Sequence, residues 1–79
     1  KRYPRAAQAR RQQGVVQVAF TLDRQGAVLA VALHASSGHA LLDGEALDLL
    51  QRAQPLPPPP PEVTGDRINL VVPVQFHVR

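Results

Sequence analysis

The side chains able to do chemistry are three histidines, a Ser-Ser-Gly step and a group of acids, and their spacing limits what they can do. His34, His39 and His77 lie far apart, and none shares the i, i+4 spacing that sets two imidazoles on one helix face for a metal. His34 and His77 fall on the outward parity of strand-like patterns, where a half-exposed histidine is the ordinary reading. Ser36-Ser37-Gly38 lacks the strand-to-helix elbow motif that lifts a nucleophilic serine, so these residues read as turn and helix-entry residues. Asp43, Glu45 and Asp48 fall on the polar face of a helical pattern, with no apolar setting to raise one of them into a base. No glycine-rich loop cradles a phosphate, and the absence of cysteine removes thiolates, disulfides and cysteine–zinc sites. No catalytic constellation, metal site or cofactor site is expected. The chain reads as a binding module.

Charge narrows the partner class. The 79 residues carry a net charge of +3, and Lys1, Arg2, Arg5, Arg10 and Arg11 place five of the nine basic residues in the first eleven positions. Such a cluster suits an acidic partner or a solvated helix face. Nucleic acid is disfavoured, because Tyr3, Phe20 and Phe76 are the only aromatic residues available for stacking and no recognition motif is present. No apolar run approaches the ~20 residues of a membrane span, so the chain itself is not expected to be membrane-embedded. It opens on Lys1-Arg2 with no leader, and is expected to be a domain of a longer protein.

The elements that must position these residues are an α+β set, expected as one domain over 1–79. Tyr3-Pro4 opens a helix expected over 4–13, with Pro4 in its first turn and Gly14 ending it. A hairpin is expected over 15–35. Val16, Val18, Phe20 and Leu22 share one face of its first strand, and Leu29, Val31, Leu33 and Ala35 share one parity of its second. Asp23-Arg24-Gln25-Gly26 is the turn, capped by Asp23 and closed by a left-handed Gly26. Leu42, Ala46, Leu49, Leu50 and Ala53 recur at helical spacing, predicting an amphipathic helix over 41–54. Pro55 to Pro61 form a stiff connection rather than helix or ladder strand.

The last strand, expected over 67–78, places Ile68, Leu70, Val72, Val74, Phe76 and Val78 on alternate positions. Pro73 interrupts its ladder donors and therefore assigns it to a sheet edge. The predicted fold is α+β, two helices packed on a three-stranded antiparallel sheet in the order second–first–third, with the last strand at an edge. A long edge strand is an aggregation liability unless it has a partner.

Read in order, several short pieces resemble the TonB C-terminal domain family. They are Tyr3-Pro4, Gly14-Val15-Val16, Phe20-x-Leu22-Asp23-x-x-Gly26, Ser36-Ser37-Gly38, Leu42-Asp43-x-x-Ala46-Leu47 and Val72-Pro73-Val74-x-Phe76. Their order and spacing cover nearly the whole chain. The resemblance implies a periplasmic domain of an inner-membrane-anchored protein, whose upstream part works with ExbB and ExbD. It implies docking on the TonB box and plug of TonB-dependent outer-membrane transporters for siderophore, haem or vitamin B12. Pairing would fall on Val71, Val72, Pro73, Val74, Gln75, Phe76, His77 and Val78, with secondary contacts from Tyr3, Arg5, Arg10 and Arg11. Gln51-Arg52-Ala53-Gln54 and the proline run stand where the family often has aromatic and basic residues. A same-fold interaction domain of another envelope-spanning machine is the alternative, and pairing of two copies through the edge is left open.

Overall fold

The computed structural model describes residues 2–78. Five elements follow one another: α1 (Arg5–Ala9), β1 (Gly14–Leu22), β2 (Val28–Ala35), α2 (Ala40–Ala53) and β3 (Ile68–Phe76). The sheet is antiparallel throughout, with the order β2-β1-β3 that the sequence predicts.

The core forms on one face of β1. Val16 and Val18 are fully enclosed, Phe20 and Leu22 nearly so, and Leu42, Ala46 and Leu50 of α2 close over them. Alternation along β1 produces this directly, since successive side chains point to opposite faces. Among the described residues no polar or charged side chain belongs to the buried core. Tyr3 packs edge-to-face on Phe76 with ring centroids 5.3 Å apart, and its hydroxyl donates to the Gln12 carbonyl.

The first helix is shorter than the expected 4–13. Gln12 N–H donates to Ala7 C=O at 2.9 Å and Arg11 N–H to Gln8 C=O at 3.0 Å, the pair of bonds that ends a helix in a Schellman motif. Arg11 takes the left-handed conformation, φ 54°, at the position where glycine is usual. The helix therefore stops at Ala9, five residues before Gly14. One turn of alanines buries too little to carry the chain further.

The second strand departs from simple alternation. Thr21 pairs with Ala30 but Leu22 with Val28, and Gln17 pairs with Ala35 but Val18 with Leu33. Leu29 and His34 are thus the extra residues of two bulges, each of which shifts the parity. Val28 and Val31 pack against the core, whereas Leu29 stays exposed. The expectation that Leu29, Val31, Leu33 and Ala35 share one face fails for this reason.

The proline segment is held rather than free-standing. Leu56 N–H donates to Gly26 C=O at 2.8 Å, and Leu56 packs against the core. The Arg24 guanidinium donates to the carbonyls of Val63, Gly65 and Pro60. The Gln54 side-chain oxygen accepts from Val28 N–H at 2.8 Å. The connection is strapped onto the hairpin turn, where Asp23 accepts from the N–H groups of Gln25 and Ala27.

Two acids expected on a solvated helix face instead tie the fold together. Asp43 accepts from Ser37 N–H at 2.9 Å and from the hydroxyls of Ser36 and Ser37. Glu45 accepts from Arg2 N–H and pairs with Arg52. Partial burial pushes both carboxyls up, but it is outweighed. Hydrogen bonds from Ser36 and Ser37, with the His39 charge, hold Asp43 below its ordinary 3.8. Bonds and charge from Arg52 and Arg2 hold Glu45 below its ordinary 4.5. A carboxyl depressed by folding contributes stability above its unfolded value and loses it as pH falls through the folded value. Unfolding followed by circular dichroism is expected to show stability falling below about pH 4.5 and continuing down through the Asp43 titration. Asp43→Asn is expected to cost about 1–2 kcal/mol at neutral pH and to flatten the lower part of that fall.

Candidate functional site

Strand β3 is terminal in the sheet, and the direction of its backbone groups decides whether it can take a partner. Along an antiparallel ladder, alternate residues direct N–H and C=O towards the neighbouring strand, and the residues between direct them away. Pro73 lies opposite Gln17, and a proline is accommodated in a ladder where its nitrogen faces outward. Val78, of the opposite parity, donates its N–H to the Gln13 side chain just before β1, at 3.3 Å. The Thr21 hydroxyl donates to the Asn69 side-chain oxygen at 2.7 Å, as suits a pair whose side chains approach closely without exchanging backbone bonds. All three observations assign the same parity. The even-numbered residues of β3 bond to β1, and the odd-numbered ones, including Asn69, Val71 and Pro73, face outward.

The side chains along this edge are uncharged from Ile68 to Phe76. Val74 and Phe76 are buried, Val72 is half-buried, and Asn69, Leu70, Val71, Pro73 and Gln75 are exposed. Strand β3 ends at Phe76, short of the expected 78. His77 and Val78 lie beyond it, and the Val78 N–H turns to Gln13 rather than outward. Asn69 and Leu70 belong to the same edge but fall outside the residues the sequence singled out. The alternation starting at Ile68 was the signal for them.

The opposite edge differs. The bulges at Leu29 and His34 break β2 near both ends, and the Gln54 side chain occupies the Val28 N–H. Bulges re-aim edge groups and discourage pairing with another chain. Strand β3 keeps an unbroken register with β1 over its whole length. Of the two edges, it is the regular one.

The segment that carries Arg5, Arg10 and Arg11 starts at Tyr3, which meets Phe76, and ends at Gln13, which meets Val78 at the end of this edge. Arg5, Arg10 and Arg11 are exposed. Arg11 holds its left-handed backbone in a place where glycine is unstrained, so the side chain is retained against a conformational cost. Arg11→Gly is expected to raise stability by about 0.5–1 kcal/mol, the left-handed penalty less the entropy glycine adds to the unfolded chain. Urea denaturation measures it; a fall in stability would show that the arginine side chain supports the fold.

The histidines do not converge. His34 sits in a β2 bulge, His39 precedes α2 and His77 follows β3. No group of three metal-ligating side chains occurs among the described residues. Ser36 and Ser37 bind Asp43 and frame the start of α2. None of the helices described is long and apolar enough to cross a membrane.

The family model described as Gram-negative bacterial TonB protein C-terminal matches residues 1–78. The chain is 39% identical over 77 residues to Protein TonB of Pseudomonas putida, covering 96% of this chain and 32% of that protein. It is 37% identical over 78 residues to Protein TonB of Pasteurella multocida, covering 99% of this chain and 29% of that protein. The chain thus spans about a third of the length of the curated relatives it matches. The solution structure of the Helicobacter pylori TonB C-terminal domain (residues 194–285) superposes with a TM-score of 0.73 at 29% identity, covering 95% of this chain and 77% of that one. The structure of the HasB C-terminal domain superposes with a TM-score of 0.66 at 49% identity, covering all of this chain and 61% of that one. With the family model matching residues 1–78 and the sheet topology shared with a solved relative, the chain belongs to the family of Gram-negative bacterial TonB protein C-terminal domains.

Proposed function

We propose that this domain is a periplasmic energy-coupling module that docks on outer-membrane transporters by accepting a transporter segment, the TonB box, as a fourth strand beside β3. The parent protein would be anchored in the inner membrane and driven through ExbB and ExbD, supplying energy for uptake of siderophore, haem or vitamin B12. The observation that carries the reading is the outward parity of Asn69, Val71 and Pro73 on the one edge free of bulges. Strand addition draws its affinity from main-chain hydrogen bonds and its selectivity from alternate side chains. Each bond contributes about 1 kcal/mol net, so a few of them hold a partner reversibly. Catalysis has no place in this mechanism.

Tyr3, Arg5, Arg10 and Arg11 are the proposed secondary contacts. Tyr3 at the Phe76 end of β3, and the exposure of the three arginines on the segment between it and Gln13, support pairing with acids that flank the docked strand or lie on the transporter plug. The test is a titration of the domain with peptides from the N-termini of such transporters, followed by backbone amide shifts. The largest shifts are expected between residues 68 and 78. Shifts concentrated on β2 or α2 would sink the docking proposal.

A further inference from the structure

The core-facing side of β3 is not evenly covered. Ile68, Val74 and Phe76 are buried on that side, yet Leu70, of the same parity and opposite Phe20, is 40% exposed. Helix α2 packs over β2 and β1, and its cover thins before β3. Tyr3 covers the Phe76 end. Between these covers, Leu70 and half-buried Val72 line an apolar step directly beside the edge.

Any strand added to β3 places alternate side chains on this helix side, with Cβ atoms about 4.5–5.5 Å from Leu70 and Val72. If it runs antiparallel, those positions fall at the closely spaced pairs, because the exchanged backbone bonds lie at the odd residues. A side chain there completes the core. An ionised one would be desolvated against Leu70 with no countercharge from the strand, which is uncharged throughout.

We infer that Leu70 and Val72 are specificity-determining residues, selecting a partner strand that carries large uncharged aliphatic side chains on its helix-facing parity. This rests on the docking reading above. The outer face selects less: Val71, 49% exposed, borders a shallow, open concavity lined by strand residues alone, among them the small Ala19, Ala30 and Ala32, so a side chain placed there keeps contact with water. The partner is thus read more stringently on one parity than on the other.

The test uses the chain with two synthetic peptides of about nine residues, a usual strand length, one alternating valine and threonine and one all threonine. Binding is followed by amide shifts along β3. Leu70→Thr is expected to weaken the valine–threonine peptide about tenfold, because less apolar surface is removed from water on docking. Val71→Thr is expected to change it by less than about twofold, although more of that side chain is exposed. The all-threonine peptide should bind the unaltered chain about tenfold more weakly and be insensitive to Leu70→Thr. Equal weakening by the two variants, or equal affinity for the two peptides, would overturn the inference and leave edge docking standing. If neither peptide moves the β3 amides of the unaltered chain, the docking reading fails and this inference with it. Leu70→Ala, which trims the same apolar surface without adding a hydroxyl, replaces Leu70→Thr if that variant does not fold.

Discussion

Proline at Val72 is expected to unfold the chain, whereas proline at Val71, one residue away, leaves it folded and weakens docking. The difference follows from parity. Val72 lies opposite Val18 in the set of β3 residues that bond to β1. Val72→Pro removes that donor and forces a ring against the central strand, where proline is not tolerated. An unsatisfied β1 carbonyl and the displaced ring together are expected to cost about 3 kcal/mol or more. A domain of this size has little stability to lose. Val71→Pro places the ring nitrogen outward, as Pro73 already does, and holds Leu70 in the extended conformation it has. Its stability is expected to stay within about 1 kcal/mol of the unaltered chain. Affinity for a transporter peptide should fall about fivefold to tenfold, the loss of one net hydrogen bond of ~1 kcal/mol. Urea denaturation and peptide titration of both variants decide the matter. A folded Val72→Pro would reverse the parity assignment, and undiminished affinity for Val71→Pro would rule out strand addition at that edge.

Gly26→Ala is the other large effect expected. Gly26 has φ +87°, and a methyl built on it would lie 1.8 Å from the Leu56 carbonyl oxygen and 2.9 Å from its carbon. Both atoms are backbone, so no side-chain rotation relieves the clash. The proline strap must move away, breaking the Leu56–Gly26 hydrogen bond and withdrawing Leu56 from the core. A left-handed penalty of about 1–2 kcal/mol and the broken bond leave an expected cost of about 3 kcal/mol. Gly38→Ala is the control, because Gly38 has φ +91° but an added methyl meets nothing within 4 Å. It should cost about 1 kcal/mol, the conformational part alone. Equal destabilisation in urea would show that the strap does not depend on close approach at Gly26.

The proposed docking edge and the strap draw on different parts of the chain. The strap ties residues 56–65 to the β1–β2 turn, at the end of the sheet where β3 begins. Tyr3 and Gln13, at the two ends of the segment that carries Arg5, Arg10 and Arg11, lie at the other end, where β3 finishes. Variants that loosen the strap should therefore lower stability without changing peptide preference.

The sequence by itself determined the architecture wherever a single period ran unbroken. β1 buries one face, so alternation named its inward residues correctly from Val16 to Leu22; on β3 alternation named the helix-facing parity from Ile68 to Phe76, of which Ile68, Val74 and Phe76 are buried. Pro73 placed β3 on the edge because a missing donor is a local property. What only the tertiary structure decided are features set by another segment. The bulges at Leu29 and His34 depend on the register with β1, and no periodicity within β2 discloses an inserted residue. Helix α1 ended early because Arg11 accepted a left-handed backbone that its residue type disfavours. The proline run was legible as stiff, but its berth against Gly26 and the grip of Arg24 join segments about thirty residues or more apart in the chain. The uncovered step at Leu70 is the same kind of fact: a residue's type sets its preference for burial, and the reach of α2 sets whether that preference is met.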